Sequence, residues 1–103
     1  MGSKKLKLTI DSEAQIEIEK AIEHYETIRS GLGKEFYNYL DGYFGVLTEG
    51  NVLFKIKRRP AFRELPLKRF PYVIIYEQTK KEIYVFSVFN TYQNPRKEKD
   101  LPL

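Results

Sequence analysis

The chain has 103 residues, of which 42% are hydrophobic and 15% are Tyr or Phe, enough for one domain with a single modest core. It has no cysteine and one histidine, which excludes disulfides, thiolate metal sites and thiol nucleophiles and speaks against zinc. The net charge of +4 is split unevenly: residues 1–50 carry six Lys/Arg against nine Asp/Glu, and residues 51–103 carry twelve against five, which points to an acidic or polyanionic partner for the second half.

Met1-Gly2-Ser3 reads as a cloning remnant. No signal peptide is visible and no apolar run is long enough to span a membrane, so the cytoplasm is the expected compartment. Residues 5–10 alternate apolar and polar with period two, which predicts a first strand. Asp11 or Ser12 then caps a helix, with Glu13 in its first turn where a negative charge suits the dipole. Ala14, Ile18, Ala21, Ile22, Tyr25 and Ile28 form its apolar stripe, and Glu13, Glu17, Glu19, Glu23 and Glu26 read as its solvated face. Ser30-Gly31-Leu32-Gly33 is expected to end this helix, since glycine accepts a left-handed cap. A second helix over about 34–48 carries the stripe Phe36, Tyr39, Leu40, Tyr43 and Leu47, and Gly42 and Gly45 are expected to admit close approach of another element.

Residues 51–61 read as a loop or the start of a strand, with a basic run at 55–59. Residues 62–69 predict a strand in which Pro66, having no N–H, takes an outward edge position or a bulge. Residues 73–76 are apolar on both faces, as in a central strand. A polar turn over 79–82 leads to a last strand over 83–89. The expected fold is α+β, β-α-α-β-β-β, with an antiparallel helical hairpin on one face of a mainly antiparallel sheet.

Two segments are candidates for chemistry. In the basic strand, Arg63, Leu65, Leu67 and Arg69 alternate with Glu64, Pro66 and Lys68. Its guanidinium groups suit phosphate or carboxylate, or else simply protect a strand edge. In the polar tail, Asn90, Thr91, Gln93 and Asn94 offer neutral donors and acceptors, and Tyr92 offers a ring that stacks. None of these is a good general base. His24 reads as an exposed helix-surface residue.

The chain resembles the RelE/ParE family of type II toxins. Ile22-Glu23-His24-Tyr25-Glu26, the junction Gly31-Leu32-Gly33 before Phe36, Arg63-x-Leu65-x-Leu67-x-Arg69-Phe70-Pro71-Tyr72, and Val88-Phe89-Asn90-Thr91 before Asn94-Pro95 carry the likeness. The resemblance implies a small basic cytoplasmic toxin, a plasmid-stabilisation type of protein, neutralised by a cognate antitoxin. It implies no cofactor and no metal, and one domain over 4–97 followed by a flexible tail over 98–103. One branch of the family poisons DNA gyrase, and the other cleaves mRNA, usually on the ribosome. Many relatives carry histidine at the position of Asn90 and arginine at that of Gln93. These departures favour a ParE-like toxin that binds a target such as gyrase. The alternatives are a metal-independent mRNA endoribonuclease and a non-toxic antitoxin-binding relative. The candidate target- or RNA-binding residues are Arg63, Lys68, Arg69, Asn90, Tyr92 and Gln93.

Overall fold

The structure is a computed structural model that describes residues 5–50 and 62–92. The predicted remnant, the basic run at 55–59, Gln93 and the predicted tail lie outside the described residues. The element order matches the expectation: β1 (Lys7–Ile10), α1 (Ser12–Ile28), α2 (Leu32–Glu49), β2 (Arg63–Pro66), β3 (Tyr72–Gln78) and β4 (Glu82–Asn90). The four strands form one sheet in the order β1-β4-β3-β2. The three later strands pair antiparallel, and β1 joins β4 in parallel, Lys7 opposite Glu82 and Ile10 opposite Val85. A parallel pair needs a long crossover, and the helical hairpin lies within it.

Ala14, Ile18, Ala21 and Tyr25 of α1 and Phe36, Leu40, Phe44 and Leu47 of α2 are buried against one face of the sheet. The α1 stripe stops at Tyr25, and Ile28, expected in it, is 60% exposed. In α2 the core takes Phe44, while Tyr39 and Tyr43 pack half-buried at its margin. On the opposite face Phe62, Ile75 and Phe89 form a second buried cluster, with Val73 and Phe86 against it. Pro66 is exposed on β2, an edge strand among those described, as its missing donor requires.

One irregularity reshapes β4. Ile75 faces Ser87 but Tyr76 faces Val85, so Phe86 is an extra residue in the ladder, a β-bulge. The bulge shifts the alternation and lets Val85 and Val88, three residues apart, both reach the helix-side core.

The glycines differ from expectation. Gly31 (φ 89°) does not cap α1, whose last residue is followed by extended Arg29 (φ −158°); it starts α2. Gly42 and Gly45 have open space where a Cβ would stand. The close approach is at Gly33, where a Cβ would lie 2.6 Å from the Ile22 carbonyl oxygen on α1. The hairpin therefore closes at Gly33. Gly33→Ala is expected to lower unfolding free energy by roughly 1–3 kcal/mol, the range for overpacking. Gly45→Ala, meeting nothing and gaining helix propensity, should raise it by about 1 kcal/mol. Urea denaturation of the two variants checks the opposite signs.

Candidate functional site at the end of the sheet

β4 ends where β3 begins: Asn90 is paired with Tyr72. The turn before β3 is tight, because Leu67 N donates to Tyr72 O at 2.9 Å and Tyr72 N donates to Phe70 O at 2.8 Å. The chain after β4 is tied to this turn by Thr91 N, which donates to Pro71 O at 2.9 Å. Lys68, Arg69, Asn90 and Tyr92 therefore share one end of the sheet. Arg63 does not. It faces Tyr76, four residues along β3 from Tyr72, which is roughly 13 Å at the rise of a strand.

Each of these side chains has a definite setting. The Asn90 Oδ1 accepts from Tyr92 N at 2.8 Å, a local turn that projects the Tyr92 ring outward, 83% exposed. Lys68 is exposed. Arg69 is engaged: its Nη2 lies 2.8 Å from Glu35 Oε1, its guanidinium sits 5.0 Å from the centre of the Phe70 ring, and its backbone N–H donates to the Tyr39 hydroxyl at 3.0 Å. Glu35 also pairs with Arg29 at 3.3 Å. The hydrogen bond from Arg69 and then that from Arg29 hold the Glu35 carboxyl below its ordinary pKa. The Tyr43 hydroxyl, 3.1 Å away, holds the Tyr39 hydroxyl below the usual tyrosine value.

Phe70 and Tyr72, the flanks of the Phe-Pro-Tyr turn, are buried. Their rings pack against Tyr25 of α1 and Phe36 of α2, with centroids 4.9 Å apart for Tyr25–Phe70 and 5.2 Å for Phe36–Tyr72. The motif thus anchors the turn to both helices. Burial, and next the neighbouring Tyr72, push the Tyr25 hydroxyl up to about 12.

Beside Asn90 a groove of about 350 Å³ runs between α1 and the ends of β3 and β4, with Glu17, Lys20, His24 and Tyr72 among its lining residues. His24 is exposed there, as expected, and meets Tyr25 edge-on at 5.1 Å. Glu17, expected on the solvated face, is half-buried. Its Oε1 accepts from Ser87 Oγ at 2.8 Å and from Val88 N at 2.9 Å. The reason is that β1 stops at Ile10, opposite Val85, so the rest of β4 continues without β1 beside it. Glu17 supplies the acceptor that a strand would otherwise give. The position was legible in principle: Glu17 lies three residues after Ala14 and four before Ala21, at the edge of the apolar stripe. Among the described residues no group of three or more His, Cys, Asp or Glu is placed to hold a metal ion, and no helix is long and apolar enough to cross a membrane.

The turn thus places an exposed charge at Lys68 and an outward aromatic ring at Tyr92 at one end of the sheet. No protein-family model matches the chain, and no curated protein matches it. A solved structure does. A chain of the "Chromosomal ParDE TA system from P. aeruginosa" superposes with a TM-score of 0.72 at 16% sequence identity, covering 85% of this chain and 98% of that one. The fold is therefore of the ParE/RelE toxin type.

Glu17 makes a pH prediction. Burial, the largest influence, raises its pKa above the ordinary 4.5 despite the two hydrogen bonds. The native state then binds the proton more tightly than the unfolded chain does. The sign follows: stability falls as pH rises from 4.5 through the raised native value, and the loss is complete above it. Glu17→Gln keeps an acceptor for Ser87 and Val88 without the charge. It should be more stable than the parent at neutral pH, with the gap closing in acid. Glu17→Leu leaves both donors without that acceptor and should cost about 1–3 kcal/mol. Urea titrations at neutral and acidic pH distinguish the two.

Proposed function

We propose that the chain is the toxin of a type II toxin–antitoxin pair, acting in the cytoplasm by binding a target such as DNA gyrase and neutralised by a cognate antitoxin. The observation that carries this reading is the ParE/RelE-type fold, shared with a chain of a ParDE system at a TM-score of 0.72, together with the resemblance in the Arg63–Tyr72 and Val88–Pro95 segments. The antitoxin would lay an amphipathic segment over the helical hairpin and the sheet edge.

The geometry supports binding over RNA cleavage. Cleavage through the 2′-oxygen needs proton transfer at two oxygens as well as charge stabilisation. At the sheet end Asn90 does not titrate and is engaged with Tyr92 N, while the Arg69 guanidinium is paired with Glu35. Lys68 and Tyr92, both exposed, suit a protein interface, where aromatic side chains act as anchors.

Regulated expression is expected to arrest growth, co-expression with the antitoxin to relieve the arrest, and the purified protein to inhibit gyrase supercoiling while leaving mRNA intact. Tyr92→Ala, at a position that contributes little to the core, should weaken the inhibition about tenfold or more while keeping the fold, as loss of an interface anchor does. Full supercoiling in the presence of the protein removes gyrase as the target. RNA cleavage that survives EDTA and fails in Arg63→Ala or Lys68→Ala would replace binding with the ribonuclease alternative. Normal growth on expression would leave the non-toxic, antitoxin-binding relative.

A further inference from the structure

β4 contains a self-adhesive stretch. Ile83-Tyr84-Val85-Phe86-Ser87-Val88-Phe89 is a run of β-branched, aromatic and small side chains with no charge, no proline and no glycine. Such a segment, left on an open edge, pairs with copies of itself. β1 covers its first part, up to Val85. Past Val85 no described strand lies on that side of β4. The groove of about 350 Å³ between this edge and α1 has Ile16, 51% exposed, and Val88 among its lining residues. An arriving strand would therefore gain apolar contact as well as backbone hydrogen bonds.

The other described edges are short and guarded. β2 has four residues with Pro66 exposed, which withholds a donor. β1 has four residues with Lys7 exposed. Short edge strands, proline and lysine all discourage edge-to-edge pairing. The stretch of β4 from Phe86 to Asn90 has neither proline nor lysine. What meets its backbone is Glu17, whose Oε1 accepts from Val88 N at 2.9 Å and from Ser87 Oγ at 2.8 Å. The carboxylate stands where the carbonyl of an incoming strand would have to come.

We propose that Glu17 is an edge guard, a carboxylate that keeps the open part of β4 from pairing with the β4 of a second copy. It acts in two ways. Its oxygen already occupies the acceptor position at Val88, so a strand must displace it. Its charge then has to be covered or pushed aside, and burying a carboxylate costs far more than burying an amide. The arriving β4 carries no cation between Ile83 and Phe89, and it brings its own Glu17 to the same seam. Inward-facing charge at an edge is a known means of blocking such pairing. Glutamine would serve the same two donors and is expected to give a stabler fold at neutral pH, so the fold of a single copy does not call for the charge. This assignment is independent of the toxin reading and is tested without any growth assay.

The test uses the full chain at neutral pH. Sedimentation equilibrium up to about 100 µM, within the range where exposed strand edges associate, reads the outcome as mass. Glu17→Gln should form dimers and larger species, associating at least about tenfold more tightly than the parent. Glu19→Gln makes the same change of charge on the exposed face of α1 and should behave as the parent. Both substitutions raise the net positive charge by one, so general repulsion grows equally in the two. Urea denaturation and circular dichroism on the same samples show whether the fold is kept. Adding Ile16→Glu to Glu17→Gln returns a carboxylate to the groove and should restore the mass of the parent. A Glu17→Gln protein that associates no more tightly than the parent, as it would if another segment already covered the edge, overturns the proposal. So does equal association of Glu19→Gln, association that Ile16→Glu leaves unchanged, or association of a Glu17→Gln protein less stable than the parent, which would be the work of unfolding.

Discussion

Four rings hold this molecule in register. Tyr25 comes from α1, Phe36 from α2, Phe70 from the turn and Tyr72 from the start of β3. Their neighbouring centroids lie 5.2 Å (Tyr25–Phe36), 4.9 Å (Tyr25–Phe70), 5.1 Å (Phe36–Phe70) and 5.2 Å (Phe36–Tyr72) apart. Tilted and edge-on pairs of this kind add about 0.5–1.5 kcal/mol each beyond their area burial. The cluster is also the point where elements far apart in sequence become rigid with respect to one another. Because Phe70 and Tyr72 are fixed, Pro71 between them is fixed, and its carbonyl oxygen receives Thr91 N. The position of Tyr92, one residue on, follows from packing on the helix side of the sheet.

Carboxylates do for the connections what the rings do for the core. Glu26, which reads as part of a solvated row, accepts from the N–H groups of Gly31 (2.9 Å) and Gly33 (3.0 Å). It thereby satisfies two of the donors that the start of α2 cannot pair within the helix. Glu17 does the same for β4 at the bulge, and Asp11 both caps α1 at Glu13 N and accepts from the Tyr84 hydroxyl at 2.8 Å. In each case a negative side chain answers a backbone or hydroxyl donor near the end of an element. The acidic first half of the chain is thus partly a set of junctions, and composition alone does not separate these residues from solvated ones such as Glu19 and Glu23.

That distinction marks how far the sequence can be read. The order of elements was legible because it rests on period: residues two apart in the strands and three or four apart in the helices sort to one face whatever they touch. The edge position of Pro66 was legible because a missing donor has few places to go. Partners distant in the chain were not. Arg69 meets Glu35 across 34 positions and Glu17 meets Val88 across 71, and no local pattern encodes either. The bulge at Phe86 was hidden for a related reason, since in a run apolar on both faces an extra residue leaves no break in the pattern. The glycines misled because their permissiveness shows equally in a tight crossing, as at Gly33, and in an open helix face, as at Gly42. Only the three-dimensional neighbour tells them apart.

The segment that carries the family likeness is largely spent on architecture. In Arg63-Glu64-Leu65-Pro66-Leu67-Lys68-Arg69-Phe70-Pro71-Tyr72, the leucines and the two aromatics are buried, Pro66 sits at the edge, and Arg69 is fastened to α2. Such residues keep the fold and say little about what it meets. This is consistent with a shared fold at 16% identity: a core of this kind depends on pattern and volume, which many sequences satisfy, whereas a binding surface depends on particular side chains. The residues that choose a target must then be sought among those the fold does not need. At the sheet end the residues that the fold does not need are Lys68 and Tyr92, which are exposed, held in place by the turn and the Asn90 carboxamide, and contribute little to the core. A scaffold rigid beneath and unconstrained above can accept substitution at its few exposed positions without loss of stability, because the ring cluster, not those positions, holds the end of the sheet together.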